Sequence, residues 1–315
     1  MNLLFPLTHL EAPLSPEWSR PLGLMVAGNG TVIEQMLFST RKYLRPSAIF
    51  FGSERAAQVA AAVDIPHRLF AHGPCLWPAL RHSRTEWQSG PVLLTLGDAV
   101  IDADLSELEQ QGADAVCFVH PPDPDQAGPA LDVRDGLVTG VGGVWRASGL
   151  WWFRHGATLA DALADLPDSA TAGELTVALL RCGATVSSRQ SDLRAALTGS
   201  EPPAERLLTL NHRLLGFGRS SDNAIERGYG EDFTVLTPVY IDESATIDCA
   251  VVGPYTSIGP GATVRGSIVR NSIIGPAATV EDAVLDGAII GEVAAVMGQR
   301  WSPRAADGST IMQTA

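Results

Sequence analysis

The chain has 315 residues, 45% hydrophobic and 18% charged, a balance that excludes a disordered protein and leaves ample material for a core. Its net charge of −13 and sequence pI of about 4.9 argue against nucleic-acid and anionic-membrane partners, both of which favour basic surfaces. No apolar run is long enough to span a bilayer, and Met1–Pro6 has neither a basic region nor an apolar stretch of leader length. Cys75, Cys117, Cys182 and Cys249 are scattered without metal-type spacing, which reads as reduced, mostly buried thiols in a cytoplasmic protein.

Residues 1–216 read as α/β. Short apolar runs at Leu3–Phe5, Ala48–Phe51, Val92–Leu96 and Ala115–Val119 predict strands, and helical periodicity covers 32–43, 54–63, 104–111, 160–166, 172–181 and 204–215. That alternation predicts a Rossmann-like, mostly parallel sheet. The proline-rich stretch 121–125 predicts a loop. Residues 217–237 read as a polar linker and 299–315 as a tail that is frayed or packed against a neighbour.

Between them, residues 238–298 carry a short aliphatic repeat. Branched apolar residues recur every five or six positions from Ile241 to Val296, followed by turn-forming runs such as Gly259-Pro260-Gly261. Val264, Val280 and Val296 are sixteen apart, as are Ile258, Ile274 and Ile290. Three steps per coil is the pattern of a parallel β-helix of hexapeptide-like rungs. Coils bury their apolar faces only by stacking, and this length predicts about three to four of them.

Several segments together resemble the sugar-1-phosphate nucleotidyltransferases. Arg20-Pro21-Leu22 with Val26-Ala27-Gly28 is similar to the family's lysine-Pro-Leu segment and its Val-Ala-Gly turn. Val92–Asp98 is similar to the strand ending in Gly-Asp that holds magnesium. Ala147–Phe153 is similar to the strand that contacts the sugar, and Ala204–Leu208 with Asn211 to the helix closing the catalytic domain. The resemblance covers nearly the whole chain. It implies that the β-helix is left-handed and that the reaction is NTP plus sugar 1-phosphate to NDP-sugar plus pyrophosphate. It also implies Mg2+ as cofactor in an active enzyme. Carried onto this chain, it implies Asp98 and Arg20 as catalytic, Asp98 and Glu201 as metal ligands, and Gly28, Gly30, Gly97 and Gly149 as substrate-binding.

Nucleotidyl transfer is catalysed mainly by positioning and charge neutralisation, so the parts can be checked one by one. Leu3-Leu4-Phe5 runs straight into Pro6-Leu7-Thr8, so the glycine-rich phosphate loop that should follow this strand is deleted. Gly28-Asn29-Gly30 imitates that loop but reads as a tight turn. Pro74–Leu80, with bulky Trp77, replaces the small residues that would approach a base, and Trp77 reads as packing or as a stacking platform. The second aspartate is missing from Ala195–Pro203, where Glu201 is the nearest carboxylate. Lysines are very few, and Arg20 replaces one of the phosphate-binding set. Residues 213–315 contain no histidine, so the β-helix lacks the base that hexapeptide acyltransferases use.

Three readings remain open. One is a nucleotidyltransferase with an unusual site. The second is an impaired, non-catalytic paralogue that binds a sugar nucleotide or regulates or scaffolds an active partner. The third is a purely structural oligomer. In each, the β-helix is expected to join chains, as a homo-oligomer or with an active relative.

Overall fold

The structure is a computed structural model that describes residues 1–44, 46–71, 75–122, 129–220, 233–298, 300–301, 304–305, 307 and 310–312. The thirteen strands before the repeat are β1 (Asn2–Pro6), β2 (Val26–Ala27), β3 (Gly30–Thr31), β4 (Ser47–Gly52), β5 (His67–Ala71), β6 (Val92–Thr95), β7 (Ala99–Asp102), β8 (Ala115–His120), β9 (Ala130–Arg134), β10 (Leu137–Val141), β11 (Trp145–Phe153), β12 (Val186–Gln190) and β13 (Leu193–Ala196). The α-helices among the described residues are α1 (Val32–Tyr43), α2 (Ala56–Ala61), α3 (Leu76–His82), α4 (Gly156–Ala164), α5 (Ala172–Arg181) and α6 (Pro203–Gly216). Two compact units divide the chain: residues 1–12 with 36–199, and residues 13–35 with 200–315.

The first unit is built on a nine-stranded sheet of order β5-β4-β1-β6-β11-β8-β12-β10-β9. Its two faces follow from alternation along apolar strands. Leu4 on β1 joins Trp77, Trp87, Leu159, Leu163, Leu175 and Leu179 in the core beneath α3, α4 and α5. Leu3 and Phe5 face Met36 and Leu37 of α1 on the other side. The sheet is mixed rather than mostly parallel. β1, β4, β5 and β6 run parallel, as do β8 and β12, but β11 lies antiparallel between β6 and β8. Composition alone leaves strand direction open, since a strand buried on both faces reads the same either way.

The predicted helix at 104–111 is instead a 3-10 turn, Leu108–Gln110, entered through Glu107 at φ 56°. Only Leu105 and Leu108 are buried in that stretch, too few to commit a full helical face. The cysteines also depart from expectation: Cys117 is buried, whereas Cys75, Cys182 and Cys249 are exposed. Cys75 and Cys182 cap α3 and α5, and Cys249 sits at a coil corner with φ 48°, positions that face solvent. Of the loop at 121–125, residues 123–125 lie outside the described residues, as do 221–232 of the linker.

In the second unit the repeat forms a parallel β-helix of three sheets with five strands each among the described residues. Val264 pairs in register with Val280 and Val280 with Val296; Ile258 pairs with Ile274 and Ile274 with Ile290. These side chains, with Val239, Val252, Val269 and Leu285, fill the interior. Corner N–H groups bond to the next coil, as in Thr263 N–H to the Ala278 carbonyl and Thr279 N–H to the Ala294 carbonyl, both 2.8 Å. The ladder extends past the aliphatic repeat at both ends: Phe233–Val235 opens one sheet, and Arg300–Trp301, Arg304–Ala305 and Thr310–Met312 close all three. Val235 and Ile311 continue the aliphatic ladder there, paired with Val252 and Val296. The β2–β3 hairpin and α6 pack with each other and against the middle coils of the same unit.

Candidate functional site

Asp98 follows β6 and precedes β7. Gly97 makes this corner possible: its φ is 69°, and a Cβ there would collide with the Pro6 carbonyl oxygen. The Gly97 N–H donates to Thr95 Oγ1 at 3.2 Å, and the Leu96 N–H to the Gly149 carbonyl at 2.9 Å, which fixes β6 against β11. Gly149 lies where β11 slips register against β8, and a Cβ on it would stand 3.0 Å from Asp98 Oδ1. Gly97 is thus required by close backbone packing, and Gly149 by its φ of 93° beside the Asp98 side chain.

The carboxylate of Asp98 is engaged from within the protein. Arg194 on β13 places Nη2 3.3 Å from Asp98 Oδ2, and its Nε donates to the Ser148 carbonyl at 3.0 Å. The Arg194 side chain is 4% exposed and that of Asp98 25%. Ser148 is held in turn by a 2.8 Å hydrogen bond between its hydroxyl and that of Ser191. Asp98 Oδ1 is buried with no hydrogen-bond partner among the described residues. The chain after β13 bonds back through the Leu197 N–H to the Asp98 carbonyl at 2.8 Å, and Leu197 is itself buried. Sequence reading missed Arg194. Its signal was a lone charge inside the apolar run Leu193–Leu197, a position that demands a buried partner.

Beside Asp98, β1 leaves the sheet into a tight turn. The Leu7 N–H donates to the Phe51 carbonyl at 2.6 Å, and the Leu10 and Glu11 N–H groups to the Leu7 carbonyl at 2.8 and 3.0 Å. Leu7 and Leu10 are fully buried. Between β1 and α1, the space lined by Leu3, Phe5, Met36, Thr95 and Leu150 amounts to about 20 Å³, room for about one water molecule. Trp77 belongs to the core: it is 5% exposed, and its indole N–H donates to the Ala170 carbonyl at 2.7 Å.

The remaining predicted residues lie in the second unit. Gly28, at φ 60°, turns the β2–β3 hairpin; its N–H donates to Asn211 Oδ1 at 2.8 Å and its carbonyl accepts from Ser257 Oγ at 3.0 Å. Gly30 is half-buried on β3, within reach of Glu34. Arg20 is paired with Glu292 of the β-helix, and its Nε donates to the Leu24 carbonyl at 2.8 Å. Asp307 fastens the same segment, accepting from the Ser19 and Arg20 N–H groups at 3.1 and 2.8 Å and from the Glu292 N–H at 2.9 Å. Glu201 is exposed before α6, and its carbonyl accepts from Arg206. The structure thus gathers Asp98, Gly97 and Gly149 around one carboxylate in the first unit, and groups Arg20, Gly28, Gly30 and Glu201 with the other.

The second unit also has an open groove of about 370 Å³ lined by α6 and coil residues including His212, Arg213, Tyr255 and Asn271. The rings of His212 and Tyr255 stack there with centroids 3.5 Å apart.

No family model matches the sequence, and no curated protein matches it. Solved structures do match. One is a Bacillus anthracis protein described as a glucose-1-phosphate thymidylyltransferase, in complex with sucrose. It aligns with a TM-score of 0.55 at 8% identity, over 67% of this chain and 94% of that one. Over that part of the chain the fold is similar to that of the thymidylyltransferase. The family resemblance implies a magnesium ion. The residues at Asp98 do not suit that ion: one carboxylate oxygen faces an arginine and the other is buried beside β11. Among the described residues no three His, Cys, Asp or Glu side chains cluster as metal ligands. No helix among them is long and apolar enough to cross a membrane.

Proposed function

We propose that this chain is a non-catalytic protein on the sugar-1-phosphate nucleotidyltransferase fold, acting by binding a sugar nucleotide or an active relative. The observation that carries this reading is the exit of β1. A triphosphate needs a loop of free backbone N–H groups at that point. Here the N–H groups of Leu7, Leu10 and Glu11 are already bonded to carbonyls and the side chains of Leu7 and Leu10 are buried. Charge compensation is equally short. The single lysine, Lys42, sits in the last turn of α1, and Arg20 is committed to Glu292. Each lost electrostatic contact raises such a barrier by about 2–4 kcal/mol, so several together leave little beyond background.

The β-helix, left-handed as the resemblance implies, is the assembly element in this reading. Its wall exposes Ile268, Val293 and Met297.

The test is pyrophosphate release with the common nucleoside triphosphates, glucose 1-phosphate and Mg2+, alongside isothermal titration with sugar nucleotides. The expected result is binding of a sugar nucleotide, or of an active nucleotidyltransferase, with no turnover above background. Mg2+-dependent turnover that disappears in Asp98→Ala overturns the reading. A stable oligomer that binds neither class of partner also overturns it, in favour of a purely structural role.

A further inference from the structure

We propose that the Arg194 guanidinium stands in for a divalent cation at Asp98, making the fold's metal position a fixed carboxylate–guanidinium pair that excludes magnesium. This deepens the non-catalytic reading and rests on it. The antiparallel pairing of β13 with β7 sets Arg194 opposite Ile101, a few residues from Asp98 on the same strand pair. From there the side chain runs through the interior, 4% exposed, to the carboxylate. Its Nε is tied to the Ser148 carbonyl, so the guanidinium plane is fixed and cannot swing aside to admit an ion.

Asp98 presents at most one carboxylate oxygen to a hydrated metal, since Oδ1 is buried and the side chain is 25% exposed. Oδ2 faces Nη2 at 3.3 Å. Oδ1 is buried against the β11 backbone, close enough that a Cβ on Gly149 would stand 3.0 Å away. Magnesium keeps several waters and near-octahedral geometry, and prefers surplus negative charge. Here the pair is formally neutral. A second cation would be repelled by the first across a short, poorly screened distance.

Two measurements on the full chain test this. The first is Mn2+ titration followed by the paramagnetic signal of the free ion, for the wild type and Asp98→Asn. The proposal expects no site that depends on Asp98; a stoichiometric site present in the wild type and lost in Asp98→Asn overturns it. The second is a double-mutant cycle by thermal melting. Arg194→Met leaves a buried carboxylate without its cation and is expected to lower the melting temperature by about 10 °C. Asp98→Asn/Arg194→Met, which removes both charges, is expected to recover most of that loss. A double variant no more stable than Arg194→Met overturns the pairing, and it is readable even where the single variant folds poorly. The two proposals fail separately. Pyrophosphate release without added metal would overturn the non-catalytic reading and leave this one intact. Asp98-dependent Mn2+ binding by a protein without turnover would overturn this one alone.

Discussion

Cys117 shows how position decides chemistry for a single residue. Its thiol lies in the core beneath α3 to α5, where burial pushes its pKa from 9.0 up to about 12. Cys75, Cys182 and Cys249 are exposed at element ends. Alkylation of native protein at pH 8 should therefore modify those three and spare Cys117, which reacts only after denaturation; mass spectrometry of the adducts reads this directly. Labelling of native Cys117 at the rate of the others would contradict its placement. The raised pKa also has a pH consequence. Below pH 9 the thiol is neutral in both states and its contribution to stability is complete. As pH rises from 9 towards 12 the unfolded thiol ionises first, and stability falls. Asp98 was legible in the sequence because a glycine and an aspartate end an apolar strand. Arg194 was not, because its partner lies 96 residues away and only the β7–β13 register brings the two together.

Among elements, the β-helix was the most legible because its interior is written by residue type alone. Ile247 is only partly buried, but the other ladder residues from Ile241 to Val296 all lie inside. Two isoleucines on one coil separate burial from composition. Ile274 is fully buried and Ile268 is 42% exposed. Ile274→Ala should lower unfolding free energy by about 2–5 kcal/mol, and Ile268→Ala by less than about 1 kcal/mol, from denaturant midpoints at constant slope. Equal effects would mean that the coil interior is not packed as described. The helices 32–43 and 172–181 were legible to the residue, the latter closed by a Thr171–Glu174 capping box. The direction of β11 was not legible, because it depends on pairing with distant backbone, which leaves no mark on local composition. The outer coils were passed over although Val235 and Ile311, in register with Val252 and Val296, carry the same signature.

At the scale of the whole molecule, the compact units do not follow one another along the chain. The hairpin of β2 and β3 and the helix α6 are fastened to the β-helix by Asn211, whose Oδ1 accepts from Gly28 and whose Nδ2 donates to the Tyr255 carbonyl at 3.2 Å. Cutting the chain after Gly216 removes the coils against which both elements pack. The truncated protein should bind an apolar dye strongly and melt over a broadened range compared with the intact chain. A sharp transition with no added dye binding would show that residues 1–216 suffice for themselves.

The division of the chain at residues 12 and 35 also has a consequence in time. Residues 13–35 emerge early in synthesis, yet the unit they complete cannot form until residues 200 onward have been made. At ordinary elongation rates that interval is roughly ten seconds or more. During it Val26 and Ala27, buried in the finished protein, wait without their β-helix neighbours. The segment is thus a natural point of capture for a chaperone, and its exposure makes the yield of folded protein sensitive to translation speed.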